Sequence, residues 1–134
     1  MQLFGALFLG MVGLIFVGLG TFNLLFPVEG MVGFEIRVST TSALNEIRAN
    51  YGGMHLALGL FFVFGAFVPS ARLLALLIVA LFTGGLVLGR LLSLVVDGAP
   101  NSMVWGLFAL ESVGALVALT LLIYARRKGN VGNA

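Results

Sequence analysis

Residues 43–62 read ALNEIRANYGGMHLALGLFF, a segment that ends as apolar as any membrane-spanning helix yet begins with Glu46, Arg48, Asn50, Tyr51 and His55 within ten positions. No proline interrupts it, and Pro69 closes the apolar run that follows. The segment therefore predicts one helix from about Leu44 to Val68. Such a helix is long enough to cross a bilayer, which takes about 20 residues at roughly 1.5 Å of rise each. Polar side chains at that depth must find partners inside the protein, so this segment bears on both fold and site.

The rest of the chain has the same apolar character. Its 134 residues are 60% hydrophobic and 9% charged, with mean hydropathy +1.16, whereas a soluble domain carries about 25% charged residues. The composition predicts one integral membrane domain over 1–134, with spans at about 2–25, 44–68, 72–96 and 102–125. The expected fold class is all-α, a four-helix transmembrane bundle. The first span lacks the basic n-region and small-x-small site of a signal peptide and is read as a retained helix. The absence of cysteine excludes disulfides, thiolate chemistry and Cys-ligated metals.

The connection between the first two spans, FPVEGMVGFEIRVSTTS over 26–42, alternates Phe34, Ile36 and Val38 with Glu35 and Arg37. That period of two predicts a short strand or extended cap over the mouth of the bundle. Ser39 to Ser42 supply candidate N-caps for the second span. Arg72 and the tail residues Arg126, Arg127 and Lys128 share one side of the membrane, against Arg37 in the connections on the other. This bias places both termini in the cytoplasm and the long connection outside. The basic tail reads as a membrane anchor; no nucleic-acid partner is expected.

At about 100° per residue, Arg48, Tyr51 and His55 share one face of the second helix while Glu46, Asn50 and Gly53 fall on nearly the opposite one. Polar groups on both faces predict that this helix is the central, least lipid-exposed member. On the third helix Thr83, Arg90 and Asp97 lie seven apart, with Arg90 roughly 10 Å below the outer surface; Glu111 of the fourth lies about 13 Å below it. Thr21 and Asn23 add neutral polarity at the end of the first helix. Because an unpaired charge at the bilayer centre costs at least about 2.5 to 3.5 kcal/mol, this set should be largely self-compensating. Arg90 is expected to bond Glu46 or Glu111 in preference to Asp97, two turns away. The expected site is an outer pocket lined by Glu46, Asn50, Tyr51, His55, Arg90 and Glu111, with Arg48 and Asp97 in the same polar network.

Asn45, Glu46, Arg48, Tyr51, Gly52 and Gly53, then Gly89 and Arg90, then Asp97, Gly98 and Pro100, followed by a helix carrying Glu111, also bring a likeness. In these positions, and over nearly the whole chain, the sequence resembles the bacterial four-span family catalogued as domain of unknown function 4345. The resemblance implies the four-helix membrane fold and a bacterial inner-membrane location. It implies no activity.

Each feature has a plain structural reading beside a functional one. Arg90 with a carboxylate is either an ion pair locking helix packing or a clamp for a carboxylate or phosphate head group. His55 is either a neutral hydrogen-bonded side chain or a proton relay partner of Glu111. A lone histidine without cysteine predicts no metal site, and Ser112 next to Glu111 points about 100° away from it, so no catalytic residue is expected. Gly85 with Gly89, and Gly114 with Ala118, are small-xxx-small pairs for packing within the bundle or for homo-oligomerisation. Trp105 reads as an interfacial anchor.

The least demanding function is a non-enzymatic membrane binding or accessory protein without a cofactor. It would hold a small amphipathic ligand or a lipid, alone or as a subunit of a larger membrane complex. The alternatives are a small transporter or proton-coupled carrier working through Glu111 and His55, and an intramembrane enzyme with Glu46, Glu111 or His55 as acid and base. The carrier lacks an internal repeat or a Pro-broken helix, and the enzyme lacks a recognisable nucleophile or metal set.

Overall fold

A computed structural model describes the backbone of residues 2–131 and side chains through Ala125. The basic tail residues Arg126, Arg127 and Lys128, counted above for orientation, lie outside the described side chains. The chain forms α1 (Gln2–Leu25), a one-turn α2 (Glu29–Val32) and α3 (Thr41–Ile47). A π-helical segment (Arg48–Met54) leads without a break into α4 (His55–Phe67), followed by α5 (Pro69–Val96) and α6 (Ser102–Val131). Four helical runs, Gln2–Leu25, Thr41–Phe67, Pro69–Val96 and Ser102–Ala125, are long and apolar enough to cross a membrane. The protein is all-helical, and these four runs make it an integral membrane protein. They alternate in direction, so the turn at Val68 lies at the same end as the termini, and the connections 26–40 and 97–101 lie at the other.

The boundaries follow local chemistry. Thr40, extended at φ −128° and ψ 156°, accepts a hydrogen bond from the Ala43 N–H and caps α3; the cap falls within the expected Ser39–Ser42 stretch. Val68 is extended before Pro69, which occupies the first turn of α5, so a single residue reverses the chain. Asn101 caps α6 by accepting from the Val104 N–H. Gly98, at φ +94°, supplies the left-handed turn after α5.

The alternation over Phe34 to Val38 makes no strand among the described residues. No second extended segment is available to pair with it, and the chain instead coils into α2 and turns at Glu35, whose φ is +59°. The side chain of Asn101 holds this cap down, donating to the Gly33 carbonyl at 3.1 Å and to the Glu35 carboxylate at 3.0 Å.

α1 is the most buried span, 39% of its apolar window against 22% for the second span, so the expectation of a central second helix is corrected. The reason lies in glycines. A methyl group on Gly13 would meet the Val63 nitrogen at 2.8 Å and the Gly59 carbonyl at 2.9 Å. One on Gly20 would meet the Leu56 nitrogen at 2.4 Å and the Gly52 carbonyl at 2.9 Å. Gly13 and Gly20 on α1 thus face Gly59 and Gly52 on the antiparallel second span, with a spacing of seven on both sides. In a bilayer, where burying an apolar side chain against another helix removes no water, such backbone-to-backbone contact is the main source of helix association.

The tightly packed core comprises Phe8, Leu9, Val12 and Phe16 of α1, Phe62 of α4, Ala75, Leu76 and Val79 of α5, and Ala118, Leu121 and Leu122 of α6. All of these but Phe16, which sits just past mid-depth, lie in the half of the bundle nearest the termini. Arg72 staples that end by donating to the carbonyls of Gly65, Ala66 and Gln2, two of them in the last turn of α4, where helix carbonyls lack partners. In the other half, a methyl group on Gly84, Gly85 or Gly89 would meet nothing within 4 Å. The Gly85 and Gly89 pair is therefore not used in packing this bundle.

The two glycine classes should respond oppositely to substitution. Gly20→Ala forces α1 and α4 apart and should cost about 1–3 kcal/mol, whereas Gly84→Ala should be neutral or raise stability by up to about 1 kcal/mol through helix propensity. Thermal unfolding of the two variants in the same detergent checks this; equal losses at both positions would contradict the seam.

Candidate functional site

A π-helical segment runs through the polar residues of the second span, which fall on two faces. Its i→i+5 bonding widens one turn, a distortion found frequently at functional sites. On one face Tyr51 and His55 stack, ring centroids 6.1 Å apart and planes 8° from parallel. The His55 ring also stacks on Phe16 of α1 at 5.3 Å, and Phe82 of α5 meets it edge-on at 5.6 Å. The His55 Nδ1 lies 2.8 Å from the Asn50 carbonyl oxygen. Since a carbonyl only accepts, Nδ1 carries a proton and donates it to this oxygen.

On the opposite face Glu46 and Asn50 satisfy each other: the Asn50 amide donates to the Glu46 carboxylate, and both residues stand apart from Arg90. Arg48 turns away as well. Its Nε donates to the Leu24 carbonyl at 3.1 Å, in the last turn of α1, where it acts as a C-terminal cap. Asp97 accepts from the Ser93 hydroxyl at 2.8 Å on its own helix. The expected pocket containing Glu46 and Asn50, with Arg48 and Asp97 in its network, is thereby corrected. These four residues close short local bonds because each has a partner within four residues or at a neighbouring helix end, nearer than the opposite wall.

Arg90 and Glu111 do meet, and they form the only ion pair among the described residues. Of the two carboxylates expected to reach Arg90, Glu111 is the one in place. The bond is bidentate: Nε donates to Oε2 at 2.5 Å and Nη2 to Oε1 at 2.7 Å. This fork geometry is available to arginine and not to lysine. Both side chains are largely buried, 21% and 12% exposed, and the pair joins α5 to α6. Of the eight expected residues, the structure thus joins Tyr51 to His55 by stacking and Arg90 to Glu111 by an ion pair, as two separate pairs.

Beside Arg90 a cleft of about 190 Å³ opens between α5 and α6. Its walls are Gly89, Ser93 and Leu94 from α5 and Val104, Trp105 and Phe108 from α6, with Pro100 of the connection. Trp105 and Phe108 meet edge-to-face at 5.8 Å. Trp105 is thus more than an interfacial anchor: it is a cleft wall. The sequence signal that could have found it is the spacing of three between Trp105 and Phe108, which sets the two rings about 60° apart on successive turns of one helix. Ser112 donates its hydroxyl to the Phe108 carbonyl at 2.7 Å, so its proton is already engaged.

The sequence matches the family described as "Domain of unknown function (DUF4345)" over residues 5–122. The chain belongs to that family. No curated protein and no solved structure matches it.

The ion pair should show a large coupling in a double-mutant cycle. Arg90→Met or Glu111→Met alone strands a buried partner and should cost about 3–5 kcal/mol, whereas the double variant should recover most of the loss. Denaturant unfolding in detergent of the four proteins gives the coupling; additive losses would show that the two groups do not depend on each other.

Proposed function

We propose that this member of the DUF4345 family is a non-enzymatic integral membrane binding protein whose α5–α6 cleft receives the polar end of a small amphipathic molecule or lipid. It would work alone or as a subunit of a larger membrane complex. One observation carries the reading. Arg90 uses its Nε and one Nη2 hydrogen on Glu111, yet the guanidinium has five N–H donors and still forms part of a cleft with largely apolar walls. In a hydrocarbon setting an unsatisfied donor costs several kcal/mol, so a purely structural arginine would be expected to spend its donors on the protein. The remaining donors are instead available to a molecule entering from the side, where Trp105 is 44% exposed.

The location that goes with this function is a bacterial inner membrane with both termini cytoplasmic, supported by the basic residues that share the side of Arg72. The cleft then opens in the outer half of the bilayer.

Two experiments test these statements. The Arg90→Met, Glu111→Met double variant should remain folded and normally inserted while losing an amphipathic molecule that co-purifies with the unaltered protein, as read by lipid mass spectrometry. An unchanged set of co-purifying molecules would refute the binding function. For orientation, the chain contains no cysteine, so single-cysteine variants are clean reporters. An impermeant maleimide should label Thr40→Cys in intact cells and Ser70→Cys only after lysis, both positions being exposed. The reverse pattern would invert the topology.

A further inference from the structure

The binding reading above says that a polar head enters the cleft; the chemistry of the cleft says which kind. We propose that it takes an uncharged, carbonyl-bearing headgroup of a lipophilic molecule, such as a glycerolipid ester or a quinone ring, in preference to an anionic one. The inference rests on the proposed binding function and specifies its ligand.

Charge is the first argument. Arg90 alone would attract a phosphate or carboxylate, but the bidentate bond to Glu111 makes the pair neutral in sum. An anion placed on the free edge of the guanidinium would be attracted by Arg90 but repelled by the Glu111 carboxylate on the adjacent edge, so its attraction is weaker than an unpaired arginine would exert. Arg90 lies six residues before the end of α5 at Val96, roughly 9 Å along the helix. An anion bound to a neutral pair at that depth carries an uncompensated charge toward the hydrocarbon, where isolated charges are expensive. A neutral acceptor carries none.

Hydrogen-bonding capacity is the second. The unspent guanidinium N–H groups only donate, and the indole N–H of Trp105 only donates. The Ser93 hydroxyl has given its hydrogen to Asp97. No carboxylate is among the lining residues, so the cleft offers a surplus of donors. A carbonyl oxygen answers that surplus; an ammonium or a hydroxyl-rich sugar does not.

Size and shape are the third. A volume of about 190 Å³ is below the roughly 300–1,000 Å³ that encloses a whole drug-sized ligand. The head alone can enter, with its tail left among the lipids. Gly89 keeps the floor open, since a methyl group there would meet nothing within 4 Å. Leu94, Val104 and the rings of Trp105 and Phe108 supply apolar walls against which a flat or acyl-linked head can lie.

Trp105 is the single tryptophan of the chain and therefore a built-in reporter. The unaltered protein is placed in phosphatidylcholine nanodiscs and titrated separately with decylubiquinone, dibrominated diacylglycerol and dibrominated phosphatidic acid, each of which quenches indole fluorescence on contact. At least one neutral compound should quench saturably, with half-saturation at least tenfold lower than for phosphatidic acid, and Arg90→Met should lose the saturable component. Which neutral compound saturates first distinguishes a quinone from a glycerolipid source. In Glu111→Gln, where Arg90 is uncompensated, phosphatidic acid should gain at least tenfold. If that variant does not fold, the ranking in the unaltered protein decides alone. Saturation by phosphatidic acid ahead of both neutral compounds would overturn the headgroup inference and leave the binding function standing. Purely linear quenching by all three, as expected for bulk lipid contact, would overturn both.

Discussion

The backbone contact between α1 and the second span is the constraint on which the rest of the protein depends. Lipid tails are as apolar as leucine, so burial against another helix gives little driving force in a bilayer, and association rests on close van der Waals approach. Gly13 and Gly20 against Gly59 and Gly52 provide that approach at two levels seven residues apart. With the two helices fixed, Phe16 is held against His55, and the His55 ring in turn against Phe82 of α5. The packed core then completes the half of the bundle nearest the termini, leaving the other half to polar groups and to the cleft.

The same solvent explains where the charges go. Helix ends and charged side chains have few alternatives in hydrocarbon, and here each solves the other's problem. Arg48 covers a last-turn carbonyl of α1, and Arg72 covers last-turn carbonyls of α4 while reaching Gln2. Asn101 caps α6 and ties the first connection to the third. Against this economy Arg90 stands out. It is the described arginine matched to a carboxylate, and it lines a cleft instead of closing a helix end.

The π-helical segment sets the local geometry of the polar residues on the second span. A wheel drawn at about 100° per residue already separates Tyr51 and His55 from Glu46 and Asn50, and the structure keeps that separation. What the wheel does not contain is the wider turn over Arg48–Met54, which brings the Asn50 carbonyl to the His55 ring. That bond and the stacking against Phe16 and Tyr51 together orient the ring.

By itself the sequence determined the membrane class, the four spans and the family, because these depend on composition and on runs of about 20 apolar residues, both local properties. It also determined that Arg90 needs a carboxylate, since charge balance in hydrocarbon holds whatever the packing. Only the tertiary structure decided which carboxylate that is. Glu46 and Glu111 lie one above and one below the level of Arg90, and choosing between them requires knowing that α5 packs along α6 while Glu46 is already held by Asn50 one turn away. It also decided which glycines form the seam: Gly85 and Gly89 carry the familiar spacing yet face open space, whereas Gly13, Gly20, Gly52 and Gly59 meet across two helices. Helix pairing is a relation between distant segments, and a pattern read along one helix contains no information about which face its neighbour will occupy.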